Sequence, residues 1–199
     1  MKSRLATLKV KGEIMIKLLR NRIALSTVVT TLIILVVSVL LATVVVYFAT
    51  NVVSTRVQEE NLHLTKQHVW YDNINGGQAA IMIINTGGRD VVIDKISVRG
   101  QESVWTNVCY NITTGSISAD LAYNSSSTVG DGDISIGGTP YTFTAASTDL
   151  TLKSGYTILI YIDDPDSISI NDVGLTVSIA IYTANAVYYR ETNIEAVTM

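Results

Sequence analysis

The chain has 199 residues, 48% of them apolar, and a formal net charge of −3. That length suits one folded domain with an accessory segment. Its charge is divided unevenly: seven of the 14 Lys and Arg (Lys2, Arg4, Lys9, Lys11, Lys17, Arg20 and Arg22) precede Leu25 with one acid, Glu13, a net +6. From Leu25 onward seven bases face 16 acids, a net −9. The acidic larger part argues against nucleic acid as a partner, because phosphate binding needs basic patches. The lone Cys109 excludes an internal disulfide and reads as a small buried apolar residue.

The first informative stretch is "RNRIALSTVVTTLIILVVSVLLATVVVYFATNVVSTRVQEE". No charge interrupts the 33 residues from Ile23 to Thr55. A helix needs only about 20 apolar residues to cross a bilayer. The run is too long for the apolar part of a secretory signal peptide, and no cleavage site follows it cleanly. Its Val, Ile and Thr would favour strands in water. In lipid a lone segment must satisfy its own backbone, which dictates a helix. Ser and Thr hydroxyls along it can bond to carbonyls three or four residues back. By the positive-inside rule the basic start stays inside and the long acidic part is exported. The excess beyond a bilayer, Thr43 to Thr55, reads as apolar on every side, and so as buried on every side.

"RNRIALSTVV" resembles the class III signal peptide of archaeal type IV pilins and archaellins, in which a basic leader is cut just before the apolar helix. The resemblance implies that Arg22 supplies the upstream charge, that Ala24 ends the leader and that Leu25 begins the mature chain. Ile23 stands where the family usually has Lys or Arg. The bacterial branch carries a glutamate at the fifth mature position; Val29 stands there, which points to the archaeal branch. Met15 opens "MIKLLRNRIA", a leader of ordinary size for the family, so residues 1–14 read as an upstream extension or a wrong start. The implied partners are a membrane, a prepilin peptidase and further copies of the chain through the N-terminal helix.

After Thr55, "RVQEENLHLTKQHVW" mixes Val57, Leu62, Leu64 and Val69 with charges, and reads as the helix continuing in water as an amphipathic piece. "NINGG" ends it. From Gln78 the period becomes two. "QAAIMIINTGGRDVVIDKISV" reads as strand, turn and strand, with Val92, Asp94, Ile96 and Val98 on one face of the second strand and Val91, Ile93, Lys95 and Ser97 on the other. Further strands are expected in "SVWTNVCYNI", "YTFTA", "YTILIYID", "VGLTVSIAIYT" and "AVYYRETNIEAV". Segments recurring at such spacing, with Gly, Asn, Asp and Ser between them, mark an antiparallel sandwich. "SISADLAYNSSSTVGDGDISIGGTP" reads as a polar loop or hairpin at the domain tip. The early "IMIINTGGRDVVIDKISVRG" and the late "LKSGYTILIYI" with "DVGLTVSIAIYTANAVYY" resemble the archaellin and archaeal pilin β-domain.

The expected organisation is a basic leader at 1–24, a transmembrane or filament-core helix continuing as an amphipathic helix at 25–67, and an exported β-sandwich at 68–199. The fold class is α+β, with an immunoglobulin-like or archaellin-like head.

Candidate sites are few. Asn111 in "NIT" and Asn124 in "NSS" match the N-glycosylation acceptor pattern. Asp131, Asp133, Asp163, Asp164 and Asp166 carry oxygen ligands for Ca²⁺, but without EF-hand spacing, and Asp is an ordinary turn residue, so no metal is expected. His63 and His68 are five apart, which suits solvated helix positions better than a zinc site. No nucleophile has a base and orienter in recognisable spacing, and the glycine pairs lack phosphate-loop flanks. The chain reads as non-catalytic and without cofactor: a filament subunit or, alternatively, a single-pass surface protein that binds a partner through its sandwich.

Overall fold

In the computed structural model the described residues are 2–125 and 132–197, with helix side chains described for 10–17 and 25–55. The chain divides into two units, residues 1–54 and 55–199. The first is helical. A single helix, α1 (Lys2–Gln58), runs 57 residues. No Pro stands in it, and several hydroxyls that would compete with the backbone are turned back on the helix. Thr30 Oγ1 donates to the Ser26 carbonyl at 2.8 Å, Ser38 Oγ to that of Ile34 at 2.7 Å, and Thr43 Oγ1 to that of Val39 at 2.8 Å.

The helix stops at Gln58, and the expected amphipathic continuation to residue 67 is not present. Instead β1 (Leu62–Asp72) begins the second unit as a strand. Leu62 and Leu64 alternate with His63 and Thr65, which buries both leucines on one side of a pleat. A bulge at Lys66 and Gln67, with Lys66 in the left-handed region at φ 52°, then shifts the alternation. The bulge is what made the stretch look aperiodic in two and hence helical.

The head continues with β2 (Gly76–Asn85), β3 (Val91–Val98), β4 (Gln101–Glu102), β5 (Val108–Thr113), β6 (Gly132–Ile136), β7 (Thr139–Ala145), β8 (Leu150–Leu152), β9 (Thr157–Asp163), β10 (Thr176–Thr183) and β11 (Val187–Ala196). Neighbours run in the order β4-β3-β10-β11-β1-β2-β9-β5-β7-β6, with β8 beside β3. All pairings are antiparallel except β1 with β11, which is parallel at Val69–Ile194, Trp70–Glu195 and Tyr71–Ala196. This is an α+β chain with a sandwich-like head.

The sheet of β1, β2, β9 and β5 lies between two apolar cores. Ala79, Ile81 and Ile83 of β2 and Ile158, Ile160 and Ile162 of β9 face Val91, Ile93, Ile96, Ile179 and Ile181 of the opposing sheet. Ala80, Met82, Leu159 and Tyr161 point the other way, into a second core with Phe143, Ile134, Ile136 and Leu121. The continuous apolar runs "AAIMI" and "ILIYI" are therefore central strands buried on both faces, not the half-buried strands that period two implied. The expected polar tip loop is resolved differently too. Residues 114–125 form a strap over the second core, and the β6–β7 hairpin closes beside it.

In β3 the expected face assignment fails at one residue. Lys95 pairs with Tyr182 and Ile93 with Thr183, so Asp94 is bulged out. That reverses the phase, and Val91, Ile93, Ile96 and Val98 all enter the core, while Val92 and Asp94 are exposed.

Candidate functional site: an unburied apolar helix

Leu25–Thr55, 31 residues of α1, is long and apolar enough to cross a membrane, and none of it is buried by the rest of the chain. Apolar surface on that scale belongs against lipid or protein. A span starting at Leu25 would fill the hydrocarbon layer with some 20 residues at about 1.5 Å each, and would bring Thr43 and its successors to the far interface.

The distribution around the axis changes at that depth. From Leu32 to Ala42 only Ser38 interrupts an apolar surface on all sides. From Thr43 on, at about 100° per residue, Thr43, Tyr47, Thr50, Asn51 and Ser54 gather on one side. Val45, Phe48, Ala49, Val52 and Val53 occupy the other. The expectation that Thr43 to Thr55 is apolar all round is thus corrected: the helix from Thr43 on has a polar face. Tyr47 and Phe48 sit edge to face, ring centroids 6.3 Å apart, and tyrosine, with its polar tip, is a residue enriched at membrane interfaces. Thr50 Oγ1 lies 3.0 Å from both the Val46 and Tyr47 carbonyls, so its hydroxyl is compatible with lipid as well as water.

Of the expected processing residues, Leu25 is exposed on the helix. Arg22 and Ala24 lie within α1, in the part whose side chains are outside the described set.

Beyond the helix, the chain enters the head through a grip on Glu59, Glu60 and Asn61. The Thr86 and Gly87 amides donate to the Asn61 carbonyl at 2.9 and 3.1 Å, and the Gly88 amide to that of Glu59 at 3.1 Å. Asn185 Nδ2 donates to Glu60 Oε2 at 2.8 Å, and Thr183 Oγ1 donates to Oε1. Glu60 and burial together raise the affinity of the Tyr188 hydroxyl for its proton, burial being the larger cause.

A polar cluster closes the opposite end of the head. Asp72 is buried and accepts from Asn75 Nδ2 at 2.6 Å, from the Tyr123 hydroxyl at 2.9 Å and from the Ile74 amide at 3.2 Å. The Tyr123 bond is the main reason its carboxyl lies below the usual carboxylate range. Gln78 exchanges two bonds with the Asn124 backbone, at 2.8 and 3.2 Å. Lys66 Nζ donates to the carbonyls of Ile117, at 2.6 Å, and Ala119. These bonds tie down the strap, and sequence reading found none of them.

The remaining candidates scatter. Asn111 lies in β5 with Nδ2 donating to the Thr142 carbonyl at 2.7 Å and Oδ1 buried without a partner. Asn124 ends the strap; the last residue of its acceptor triplet is outside the described residues, as is Asp131. Asp133 accepts from Thr142 Oγ1 at 2.7 Å, Asp166 from Gln101 Nε2 at 3.4 Å. Among the described residues no three His, Cys, Asp or Glu side chains group as a metal site. His68 is not a solvated helix residue. It stacks on Trp70 at 5.1 Å with Asp120 Oδ1 3.1 Å from Nε2. Cys109 is buried, and desolvation pushes its thiol up to about 12, which keeps it protonated and unreactive. A shallow open depression between Arg99, Gly100, Val177, Ser178 and Glu191 has no convergent catalytic groups.

No family model and no curated protein matches the chain. Among solved structures, a family 123 glycoside hydrolase from Clostridium perfringens is similar at 12% identity over 71% of this chain, with a TM-score of 0.33. The chain spans only 28% of that protein's length. The ligand binding region of serine-glutamate repeat protein A of Enterococcus faecium is similar at 17% identity over 70% of this chain and all of that one, with a TM-score of 0.28. Likeness at these scores assigns neither activity nor ligand to this chain.

Proposed function

We propose that this chain is a structural subunit of an archaeal type IV pilus-like or archaellum-like surface filament, held in the membrane by its helix before assembly. The observation that carries the reading is the 31-residue apolar helix that nothing in the chain buries, placed between a basic leader and a β head. A prepilin peptidase cuts between Ala24 and Leu25, and the head faces outward. Transfer of the helix from lipid to a bundle of like helices then rests on packing, because both surroundings are apolar. Mass spectrometry of membrane fractions tests it: a mature N-terminus at Leu25, and filaments containing the chain under the electron microscope, are the expected results. A mature chain that retains Lys17 to Ala24 overturns it.

The polar face at Thr43, Tyr47, Thr50, Asn51 and Ser54 favours a second reading, a single-span anchored surface protein with its leader uncut. A helix enclosed on all sides has no use for such a face; one standing partly in water does.

A further inference from the structure

The strap over the second core is fastened by side chains of the sheet beneath it. Lys66 donates to the Ile117 and Ala119 carbonyls, and the Tyr161 hydroxyl to that of Ala122 at 2.9 Å. Gln78 holds the Asn124 backbone, and Tyr123 holds Asp72. Asp72 lies below the usual carboxylate range, through its bond from Tyr123. Burial pushes the Tyr123 and Tyr161 hydroxyls above the usual tyrosine range. None of these three groups therefore changes charge near neutral pH.

One further tie is of another kind. His68 of β1 stacks on Trp70 with the two ring planes 6° apart. Its Nε2 stands 3.1 Å from Asp120 Oδ1 on the strap, and its Nδ1 3.7 Å from Glu195 Oε1 on β11. Nδ1 is buried and has no hydrogen-bond partner. A neutral imidazole carries a single N–H. Given to Asp120, that proton leaves the Nδ1 lone pair buried and unsatisfied beside a carboxylate, which costs free energy. Given to Glu195, it leaves the Nε2 lone pair against Asp120. An imidazolium has one N–H for each carboxylate. The other neighbours do not offset this. Ala80, opposite His68 on β2, brings no charge, and the Lys66 ammonium is held by the strap carbonyls.

We infer that His68 is a proton-operated clasp: protonated, it ties the strap through Asp120 and the last strand through Glu195 to β1, and deprotonated, it slackens the strap over the second core. The sign follows from the two carboxylates, which the unfolded chain does not hold around the ring. The folded head binds the proton in preference to the unfolded chain. The clasp thus contributes in mild acid, and its contribution is lost as pH rises through the histidine range. Asp120 and Glu195 are 67% and 55% exposed, so solvent screening keeps the effect modest. The inference concerns the head alone and does not depend on the proposed filament role.

Thiol labelling of Cys109 reads the strap. Cys109 is fully buried and shares the second core with Leu121 of the strap. A pyridyl disulfide reaches it when the strap lifts. The full-length chain in detergent is labelled at about pH 5.5 and about pH 8, either side of the histidine range. Each rate is divided by that of the urea-unfolded chain at the same pH, which removes the thiol's own pH dependence. The expected result is labelling about fivefold faster at the higher pH after this correction. His68→Gln and Glu195→Gln are expected to abolish the difference, and His63→Gln, at an exposed position of the same strand, to keep it. Because Glu195 is exposed, its replacement tests the clasp even if His68→Gln fails to fold. Equal corrected rates at the two pH values in the natural chain overturn the clasp. So does a difference that survives in Glu195→Gln or in folded His68→Gln.

Discussion

Gly87 has no room for a methyl group. A Cβ there would stand 2.5 Å from the Glu59 carbonyl oxygen and 2.7 Å from the Asn61 amide nitrogen, both backbone atoms that cannot swing aside. Gly87→Ala must therefore push the turn off the incoming chain. The expected loss is about 1–3 kcal/mol, as for other overpacked sites, read by denaturant melting of the head. A change within a few tenths would show that the grip is loose. At the other end of the head, Asp72 has its proton affinity lowered chiefly by the Tyr123 hydroxyl. A carboxyl held below its unfolded value stabilises the fold at neutral pH, and that contribution disappears as pH falls through the folded value. The gap in stability between the natural chain and Asp72→Asn is expected to be widest near pH 7 and to close in acid. A gap that stays constant with pH would show that the carboxylate charge is not what matters. Neither residue announced its role in the sequence. Gly87 looked like any turn glycine, and Asp72 meets Tyr123 51 positions away.

At the scale of elements, period was a good guide where strands have one wet face and a poor one elsewhere. The strands expected at "YTFTA", "YTILIYID" and "AVYYRETNIEAV" fall close to β7, β9 and β11. Errors came from bulges at Lys66–Gln67 and Asp94, which insert one residue and reverse the faces beyond it. Short β4 and β8 left no pattern at all, since two or three residues make no period. In the helix the missed signal was present: a 3.6-residue period limited to the stretch from Thr43 on and diluted by the apolar residues before it. That face separates two substitutions only two positions apart. In the filament proposed above, Val52→Lys would place a charge against the apolar side of neighbouring helices and is expected to abolish assembly, at a cost on the order of several kcal/mol per unpaired buried charge. Thr50→Lys, on the polar face, is expected to leave assembly close to normal. Equal loss in both would argue that the outer helix is enclosed on all sides.

For the molecule as a whole, the boundary between helix and head is the decisive correction. A head cut at Gln67 lacks Leu62 and Leu64, both buried, together with the pairing of Leu62–Thr65 to β2. The fragment Glu59–Met199 is expected to melt cooperatively with a strand-dominated far-ultraviolet spectrum, and one starting at Gln67 to lose that transition. Two equally stable fragments would show that the first half of β1 is dispensable. The division into helix and sheet-rich head was legible because lipid-length apolar runs and β-rich composition are properties of whole segments. The three-tiered arrangement was not, because the strap that covers the second core is polar in composition and held by backbone carbonyls that any residue carries. One pairing has a temporal meaning. The head's first strand lies beside its last, with Leu64 and Arg190 joined across 126 positions. Synthesis delivers β1 before β11, so until β11 has emerged the head has no finished sheet to close. Contacts so distant form late and slowly. The ten residues of β11 thus act as the latch that closes the head.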